Sequence, residues 1–341
     1  MFKRITSYVF NFIKEEYKFI LFLILLFIIF EFPLNYYIVT GGGCSNVASR
    51  INVEDKYEEK GSFNISYVEE IKGTVLTYLL SYVIPTWERE DANLYKYSTT
   101  ESISDIEFRS DLDLLTANSS ATYWAYTLAD KNIEKKDSKI YIITVFDGYD
   151  TELKVADQLL SIDSFTYETI DEYKAYLQTL NENDIVEVKV LRNNKEQVIN
   201  SKLYKYEDRL ILGIGLQMIN LYETTPDVAI RFRGSESGPS GGLITTLEIY
   251  NQLTKQDLTK GYKIAGTGTI EEDGSIGEIG GIEHKLLGAE DANADIFLVP
   301  TGKNYKDALK YKKNKRLKIK LIEVKSIEDA ITKLNNLSEG K

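Results

Sequence analysis

Residues 238–242 read Gly-Pro-Ser-Gly-Gly, and residues 280–285 read Gly-Gly-Ile-Glu-His-Lys. The first segment joins an apolar stretch that predicts a strand over 227–232 to a periodic pattern that predicts a helix over 241–253. Ser240 therefore lies on a glycine-rich bend at the start of a helix. A helix start offers unpaired backbone N–H groups and a partial positive charge, and both stabilise an oxyanion.

The residues of the bend limit which N–H groups can hold an oxyanion. Pro239 has no N–H, so the candidate donors are Ser240, Gly241 and Gly238. Small flanking residues also allow a substrate backbone to approach closely. Taken alone, the same segment fits a turn followed by a serine that caps the helix.

A serine nucleophile needs a base, because its hydroxyl reacts weakly at neutral pH. On the helix predicted at 281–292, Lys285 shares an apolar face with Ile282 and Leu286. His284 is the single histidine of the chain and points away from that face, so we expect it at the surface. The pattern favours a serine–lysine site over a serine–histidine site, although a lone lysine here also fits a side chain that snorkels to water.

A buried lysine can act as a base. An unperturbed lysine has a pKa of about 10.4 and is almost wholly protonated at pH 7. Desolvation lowers that pKa and makes the amine a base, at a cost of roughly 4 kcal/mol of stability for a shift of about three units. A fold tolerates this cost where the neutral amine is used. We expect Thr267, in Ala-Gly-Thr-Gly-Thr at 265–269, to orient the amine of Lys285 through its hydroxyl.

The composition excludes several kinds of site. A net charge of −11, with one basic run from Lys310 to Lys320 that predicts a solvated face, argues against nucleic acid as a partner. One cysteine and one histidine cannot form a disulfide or a zinc centre, and no cluster has calcium-loop spacing, so we expect no metal and no cofactor. No Gly-x4-Gly-Lys-Ser/Thr phosphate loop occurs, so we expect no use of ATP.

The N-terminus predicts a membrane anchor with a single span. Residues 19–39 are mostly apolar, interrupted by Glu31 and Pro33, and such a helix reaches about 31 Å, enough to cross a bilayer core of about 30 Å. Residues 1–18 carry four basic and two acidic side chains, so the positive-inside rule places them in the cytoplasm and the remainder outside the cell. A cleaved signal peptide and a lipoprotein site at Cys44 are the alternatives.

The remainder of the chain divides into three parts. Residues 40–134 contain a strand pattern at 61–68 and a helical pattern at 101–133, and predict a juxtamembrane and connector region. Residues 135–206 predict strands with one helix and tight turns, typical of a small α+β module. Residues 207–341 alternate strands and helices, which predicts an α/β domain.

Four stretches together resemble a known family. They read Gly-Pro-Ser-Gly-Gly at 238–242, Leu-Glu-Ile-Tyr-Asn-Gln-Leu at 247–253, Ile-Ala-Gly-Thr-Gly-Thr-Ile at 264–270 and Ile-Gly-Gly-Ile-Glu-His-Lys at 279–285. They resemble the proteolytic domain of Lon peptidases, and nearly the whole chain is similar to the membrane-anchored, PDZ-containing Lon-like peptidases of Gram-positive bacteria (YlbL type). The resemblance implies an N-terminal transmembrane helix, a PDZ-like α+β module at 135–206 and a Lon-type proteolytic domain at 207–341.

The resemblance also implies roles for the site residues. Ser240 matches the nucleophile, Lys285 the general base and Thr267 the threonine that supports the lysine, with Gly238 and Gly241 as supporting residues of the bend. These matches imply an ATP-independent serine endopeptidase with a Ser-Lys dyad, anchored in the cell membrane with its catalytic domain extracellular, that cleaves secreted or membrane-associated proteins or peptides. The alternative is a non-catalytic, PDZ-like envelope scaffold with a degenerate peptidase domain. The substrate-binding residues, the cleavage preference and the oligomeric state stay open.

The PDZ-like module departs from its family's pattern in two places. Residues 148–152 read Gly-Tyr-Asp-Thr-Glu where the family has a Gly-x-Pro-Ala run. Ala156 stands where the family has a glycine, although the following Asp157 is kept.

Overall fold

A computed structural model describes residues 2–339, with the side chains of residue 10 and of residues 12–339. The side chains of Lys3 and Arg4, which enter the predicted charge balance, and residues 1, 340 and 341, at the ends of the predicted domains, lie outside the described residues. The helices are α1 (Phe2–Glu31), α2 (Val75–Leu80), α3 (Ile103–Leu128), α4 (Ile170–Leu177), α5 (Gly242–Leu253), α6 (Ile282–Asp291), α7 (Lys303–Lys315) and α8 (Ile327–Asn335), with a 3-10 helix at Ala92–Tyr95. The strands are β1 (Pro33–Asn46), β2 (Ile51–Val53), β3 (Ser62–Thr74), β4 (Glu88–Asp91), β5 (Asn132–Val145), β6 (Gln158–Ile162), β7 (Ile185–Arg192), β8 (Lys195–Lys202), β9 (Tyr204–Tyr206), β10 (Arg209–Ile211), β11 (Ile214–Thr225), β12 (Val228–Ile230), β13 (Lys263–Gly266), β14 (Ile296–Pro300) and β15 (Lys320–Val324).

The chain divides into two compact units, Met1–Gly41 with Val68–Tyr95 and Gly42–Tyr67 with Lys96–Lys341. The first unit contains α1, α2 and an antiparallel pairing of β1 with β4. Strands β1 and β3 contribute residues to both units.

The predicted transmembrane helix at 19–39 is wrong in its last third. Helix α1 ends at Glu31, and β1 begins at Pro33. Proline cannot donate to a helix and disfavours helical backbone in the residue before it, and the tyrosine, isoleucine, valine and threonine residues that follow favour a strand. Among the described residues, no helix is both long and apolar enough to cross a membrane.

The second unit contains a parallel sheet in which β3, β13, β14 and β15 lie side by side. Every residue of β14 is buried, as expected for a strand covered on both faces. Ile264 and Leu298 face a core shared with α5 and α8, whereas Ala265 and Phe297 face a second core shared with α6 and α7. The alternation of apolar side chains along β13 and β14 therefore places α5 and α6 on opposite faces of the sheet.

Residues 42–67 also belong to the second unit. The first half of β3 pairs in parallel with β13, and β2 pairs in antiparallel fashion with β12. The predicted connector at 40–134 therefore contains two strands that pair with the C-terminal domain. Their partners lie about 175 to 200 residues further along the chain, and local periodicity carries no signal for such a pairing.

The helical pattern at 101–133 is confirmed as α3, which begins with a capping box between Ser102 and Asp105. The helix packs against α5 and against the two strands β5 and β11. It therefore lies between the parallel sheet and the smaller module.

The smaller module is an antiparallel sheet in the order β11-β5-β6-β7-β8, with α4 packed against its core. Its predicted end at 206 is too early, because β11 pairs with β5 along its whole length. Asp157 is buried and accepts hydrogen bonds from the Arg192 guanidinium at 2.7 and 2.6 Å. The preceding Ala156 has φ 72°, a conformation that favours glycine.

Candidate active site

Ser240 lies on the bend between β12 and α5, and α5 begins at Gly242, one residue after the predicted start. Gly238 has φ 81°, which side-chain-bearing residues rarely adopt. The N–H of Gly242 donates to the carbonyl of Pro239 at 3.1 Å and closes a turn around the serine. A Cβ atom at Gly242 would lie 2.9 Å from Cγ2 of Ile270, so this glycine allows the bend to pack closely against the chain that follows β13.

The carbonyl of Ser240 is tied to the end of β13. It accepts hydrogen bonds from the N–H of Gly268 at 2.8 Å and from Oγ1 of the fully buried Thr267 at 3.1 Å. We expected the Thr267 hydroxyl to orient the lysine amine, but its hydrogen is donated to the serine backbone. The oxygen of this hydroxyl keeps lone pairs that can accept a further hydrogen bond. Thr267 therefore positions Ser240 directly.

Lys285 lies in the first turns of α6 on its buried face, as predicted. Ile282 and Leu286 are buried with it, in the core that also contains Ala265 of β13. His284 is half-buried rather than fully at the surface.

Ser240 and Thr267 are joined by a hydrogen bond at the carboxyl edge of β13, and Lys285 lies on the helix that follows this strand. Helix α5 leads back to the start of β13, so its N-terminus, with Ser240, lies at the far end of that strand. Helix α6 follows β13 and begins at the same edge, which places Lys285 there as well. Thr267 directly follows the strand, and its hydroxyl donates to the carbonyl of Ser240 there. The carboxyl edge of a parallel sheet is where open α/β folds bind their ligands.

The N–H groups of the bend narrow the choice of oxyanion donors. The N–H of Gly238 donates to the carbonyl of Ser110 in α3 at 2.8 Å, so the prediction that it could bind the oxyanion is wrong. Within residues 2–339, no acceptor is assigned to the N–H of Ser240 or of Gly241. These two groups are the ones available to an oxyanion. Ser110 lies 130 residues before Ser240, and no local pattern identifies it.

A cavity of about 600 Å³ lies beside the bend, between α3 and the loop after β13. Thr116 and Ser120 line it from α3, and residues 270–273 with Ser275 line it from the loop. Ile270 connects this cavity to the bend, because it packs against Gly242. The cavity is large enough to receive part of a polypeptide.

Glu248 is fully buried in the middle of α5. Nε2 of Gln252 donates to its Oε1 at 2.5 Å, whereas Oε2 has no hydrogen-bond partner among the described residues. Burial raises the pKa of Glu248 to about 6. Burial, followed by the charges of Glu248 and Asp257, raises the pKa of Glu59 to about 7. Sequence reasoning missed this pair, although a glutamate between Leu247 and Ile249 in a mostly apolar helix was an available signal.

Comparison with known proteins identifies the class of the C-terminal domain. Residues 226–336 match the model of the Lon protease (S16) C-terminal proteolytic domain, and the match begins directly after β11 ends. The segment that carries Ser240 is thus similar to the proteolytic domain of Lon proteases, which supports a serine peptidase.

The curated relatives share this region. The Lon protease of Neorickettsia sennetsu is 31% identical over 98 residues, which cover 29% of this chain and 12% of that protein. The Lon protease of Trichlorobacter lovleyi is 31% identical over 96 residues, which cover 28% of this chain and 11% of that protein. The chain therefore spans only about one eighth of the length of these relatives.

Solved structures of PDZ domains are similar to part of the chain. The PDZ domain of an SdrC-like protein from Listeria monocytogenes is 22% identical, with a TM-score of 0.21, over 23% of this chain and 85% of that domain. The corresponding PDZ domain from Listeria innocua is 21% identical, with a TM-score of 0.22, over 23% of this chain and 92% of that domain.

Proposed function

We propose that this protein is an ATP-independent serine endopeptidase in which Ser240 is the nucleophile and Lys285 the general base. The observation that carries the proposal is the hydrogen bond from Thr267 to the carbonyl of Ser240 at the end of β13, together with the buried Lys285 on the helix that follows this strand. The Lon-type proteolytic domain supports the same assignment. The lack of a Gly-x4-Gly-Lys-Ser/Thr loop in the 341 residues supports hydrolysis without ATP.

The geometry supports a two-step acyl transfer. Oγ of Ser240 attacks the scissile carbonyl carbon while the neutral amine of Lys285 takes the hydroxyl proton. The N–H groups of Ser240 and Gly241 stabilise the oxyanion that forms. Lys285 then returns the proton to the leaving amine, and an acyl-serine remains. Water, deprotonated by the same lysine, hydrolyses the ester and regenerates Ser240.

We propose polypeptide segments that are unfolded, flexible or locally exposed as substrates. The cavity between α3 and residues 270–275 supports this, because it opens beside the bend that carries Ser240. Strand β12 also pairs with β2 on one side, and among the described strands no other partner is assigned to it. Its second edge is a surface to which a substrate backbone can add as a strand.

The test is cleavage of casein and of a quenched fluorescent peptide by the purified full chain. Ser240→Ala and Lys285→Met should each lower kcat by at least about 10⁴-fold. The matched controls are Ser338→Ala and Lys310→Met, which change an exposed serine and an exposed lysine away from the bend. Unchanged cleavage in either site variant would show that the dyad is misassigned. Full rescue of a deletion strain by Ser240→Ala would favour the non-catalytic scaffold.

We further propose that α1 attaches the protein to the cell membrane, with the catalytic domain outside the cell. Large apolar side chains are exposed along α1 from Phe19 to Phe30, and an exposed apolar surface of this kind marks contact with lipid or with another protein. The basic residues of the first 18 positions support a cytoplasmic N-terminus.

Membrane attachment can be tested by cell fractionation. The full chain should resist a high-salt wash and require detergent for release, whereas the double variant Leu23→Lys, Phe27→Lys should appear in the soluble fraction. Leu115→Lys, which changes an exposed leucine of α3, is the control and should stay with the membrane. Protease added to intact cells should digest the C-terminal domain. Release of the unchanged protein by salt alone would contradict the proposal.

A further inference from the structure

The loop between β12 and Ser240 is held by a residue that lies far outside the proteolytic segment. Nη1 of Arg50 lies 2.5 Å from Oε1 of Glu236, and Nη2 of Arg50 donates to Oγ of Ser45 at 2.8 Å. The carbonyl of Arg50 accepts a hydrogen bond from the N–H of Arg231 at 2.8 Å. Only 11% of the Arg50 side chain is exposed.

Glu236 transmits this contact to the loop backbone. Its Oε2 accepts from the N–H of Arg233 at 2.9 Å, and its own N–H donates to the carbonyl of Arg233 at 3.0 Å. One carboxylate therefore closes the 233–236 turn with one oxygen and binds Arg50 with the other. Two residues later, the N–H of Gly238 is held by the carbonyl of Ser110.

Few other contacts fix this loop. Phe232 packs against the main core, whereas Arg233, Gly234, Ser235 and Ser237 are exposed and add no apolar contact. Phe232 is the apolar side chain of the loop, and the Arg50 guanidinium lies 5.8 Å from the centre of its ring. The path from Arg50 through Glu236 to Gly238 is thus a main constraint on the residues that lead into Ser240.

We propose that Arg50 is a positioning residue for catalysis, which holds the 231–238 loop so that Ser240 and its N–H keep their places. This inference rests on the proposed peptidase function. The side chain of Arg50 contacts Glu236, Ser45 and the ring of Phe232. It acts through Glu236, and a misplacement of about 1 Å at the reacting atoms costs on the order of 100-fold in rate.

The test compares Arg50→Met with a matched control in the full chain. Arg192→Met breaks an ion pair between an arginine and a buried aspartate in the smaller module, and it should leave the turnover of a short peptide unchanged. Arg50→Met should lower kcat by about 10- to 100-fold with a smaller effect on KM. Glu236→Gln should lower kcat similarly, and the double variant should lose no more than either single variant. The bond between Arg231 and Arg50 is formed by backbone atoms, so it survives in every variant.

Hydrogen exchange gives a readout that does not depend on activity. Arg50→Met should speed exchange at the amides of residues 231–238, while exchange in α5 stays as in the wild type. Equal kcat in Arg50→Met and wild type, additive losses in the double variant, or a rise in KM alone would overturn the positioning role. If the wild type itself showed no Ser240-dependent cleavage, the proposed function would fail, and the exchange experiment would still decide whether Arg50 holds the loop.

Discussion

Replacing Glu248 with glutamine is expected to remove a pH dependence from the stability of the catalytic domain. Glu248 is fully buried, and burial raises its pKa from 4.5 to about 6. Because the folded-state pKa lies above that of the unfolded chain, the unfolded chain releases this proton first as the pH rises. The stability contribution is therefore complete below about pH 4.5, falls between about pH 4.5 and 6, and stays low above that window.

The magnitude follows from the two pKa values. The difference between 4.5 and about 6 corresponds to about 2 kcal/mol of unfolding free energy. Glutamine keeps the size of the side chain and an oxygen that can accept from Gln252, and it carries no charge at any pH. Relative to the wild type, Glu248→Gln should therefore gain about 2 kcal/mol between pH 4.5 and pH 7.5. The pKa of Glu59 is also raised, first by burial and then by the charge of Glu248, so Glu59 adds a contribution of the same sign that solvent screens.

Urea unfolding of the full chain measures this difference. Trp124 packs against the core that contains α5, so its fluorescence reports unfolding of this part of the chain. Glu182→Gln, which changes an exposed glutamate of the smaller module, is the control and should shift the midpoint equally at both pH values. If the effect of Glu248→Gln on stability were the same at pH 4.5 and 7.5, the reasoning from burial would be refuted.

Three further substitutions test other contacts. Thr267→Val removes the hydroxyl that donates to the Ser240 carbonyl, while the hydrogen bond from the N–H of Gly268 to that carbonyl remains. We expect the unfolding free energy, measured in urea, to fall by about 1 kcal/mol and kcat for peptide cleavage to fall clearly. Ala156→Gly should raise the unfolding free energy of the smaller module by up to about 1 kcal/mol. The left-handed backbone at this position costs alanine about 1–2 kcal/mol, and the greater flexibility of glycine in the unfolded chain offsets part of the relief. Thermal unfolding measures this change, and a lower midpoint would contradict the prediction. Arg109→Met leaves the buried carboxylate of Glu101 without its ion-pair partner, so unfolding free energy should fall by about 3–5 kcal/mol, and a change below about 1 kcal/mol would show that the pair is solvated.

The local parts of the site could be read from the sequence. The helix start after Ser240 and the inward face of Lys285 follow from glycine placement and helical periodicity, which depend on neighbouring residues alone. The same holds for α3, whose capping residue and apolar spacing lie within one segment. The predicted domain boundary at 206 was wrong because the sequence of β11 predicts a strand that fits either domain. Its pairing with β5, which lies far earlier in the chain, assigns it to the smaller module.

The long-range parts could not be read in this way. Arg50 and Ser110 lie 190 and 130 residues before Ser240, and each acts through contacts that only the folded chain creates. The donor role of Gly238 failed for the same reason, since its N–H is taken by Ser110. Residues 33–39 are apolar and fit a helix or a strand, and the proline at their start decides for the strand.

The pairing of β3 with β13 has a consequence for the time at which the peptidase becomes active. Ser62 and Lys263 are register partners although about 200 residues separate them, so the N-terminal strand leaves the ribosome long before its neighbour exists. Thr267 and Lys285 emerge later still. A chain under synthesis therefore cannot assemble the bend, the threonine and the lysine into one site until most of its length has been made. Until then the nascent chain lacks the complete proposed site.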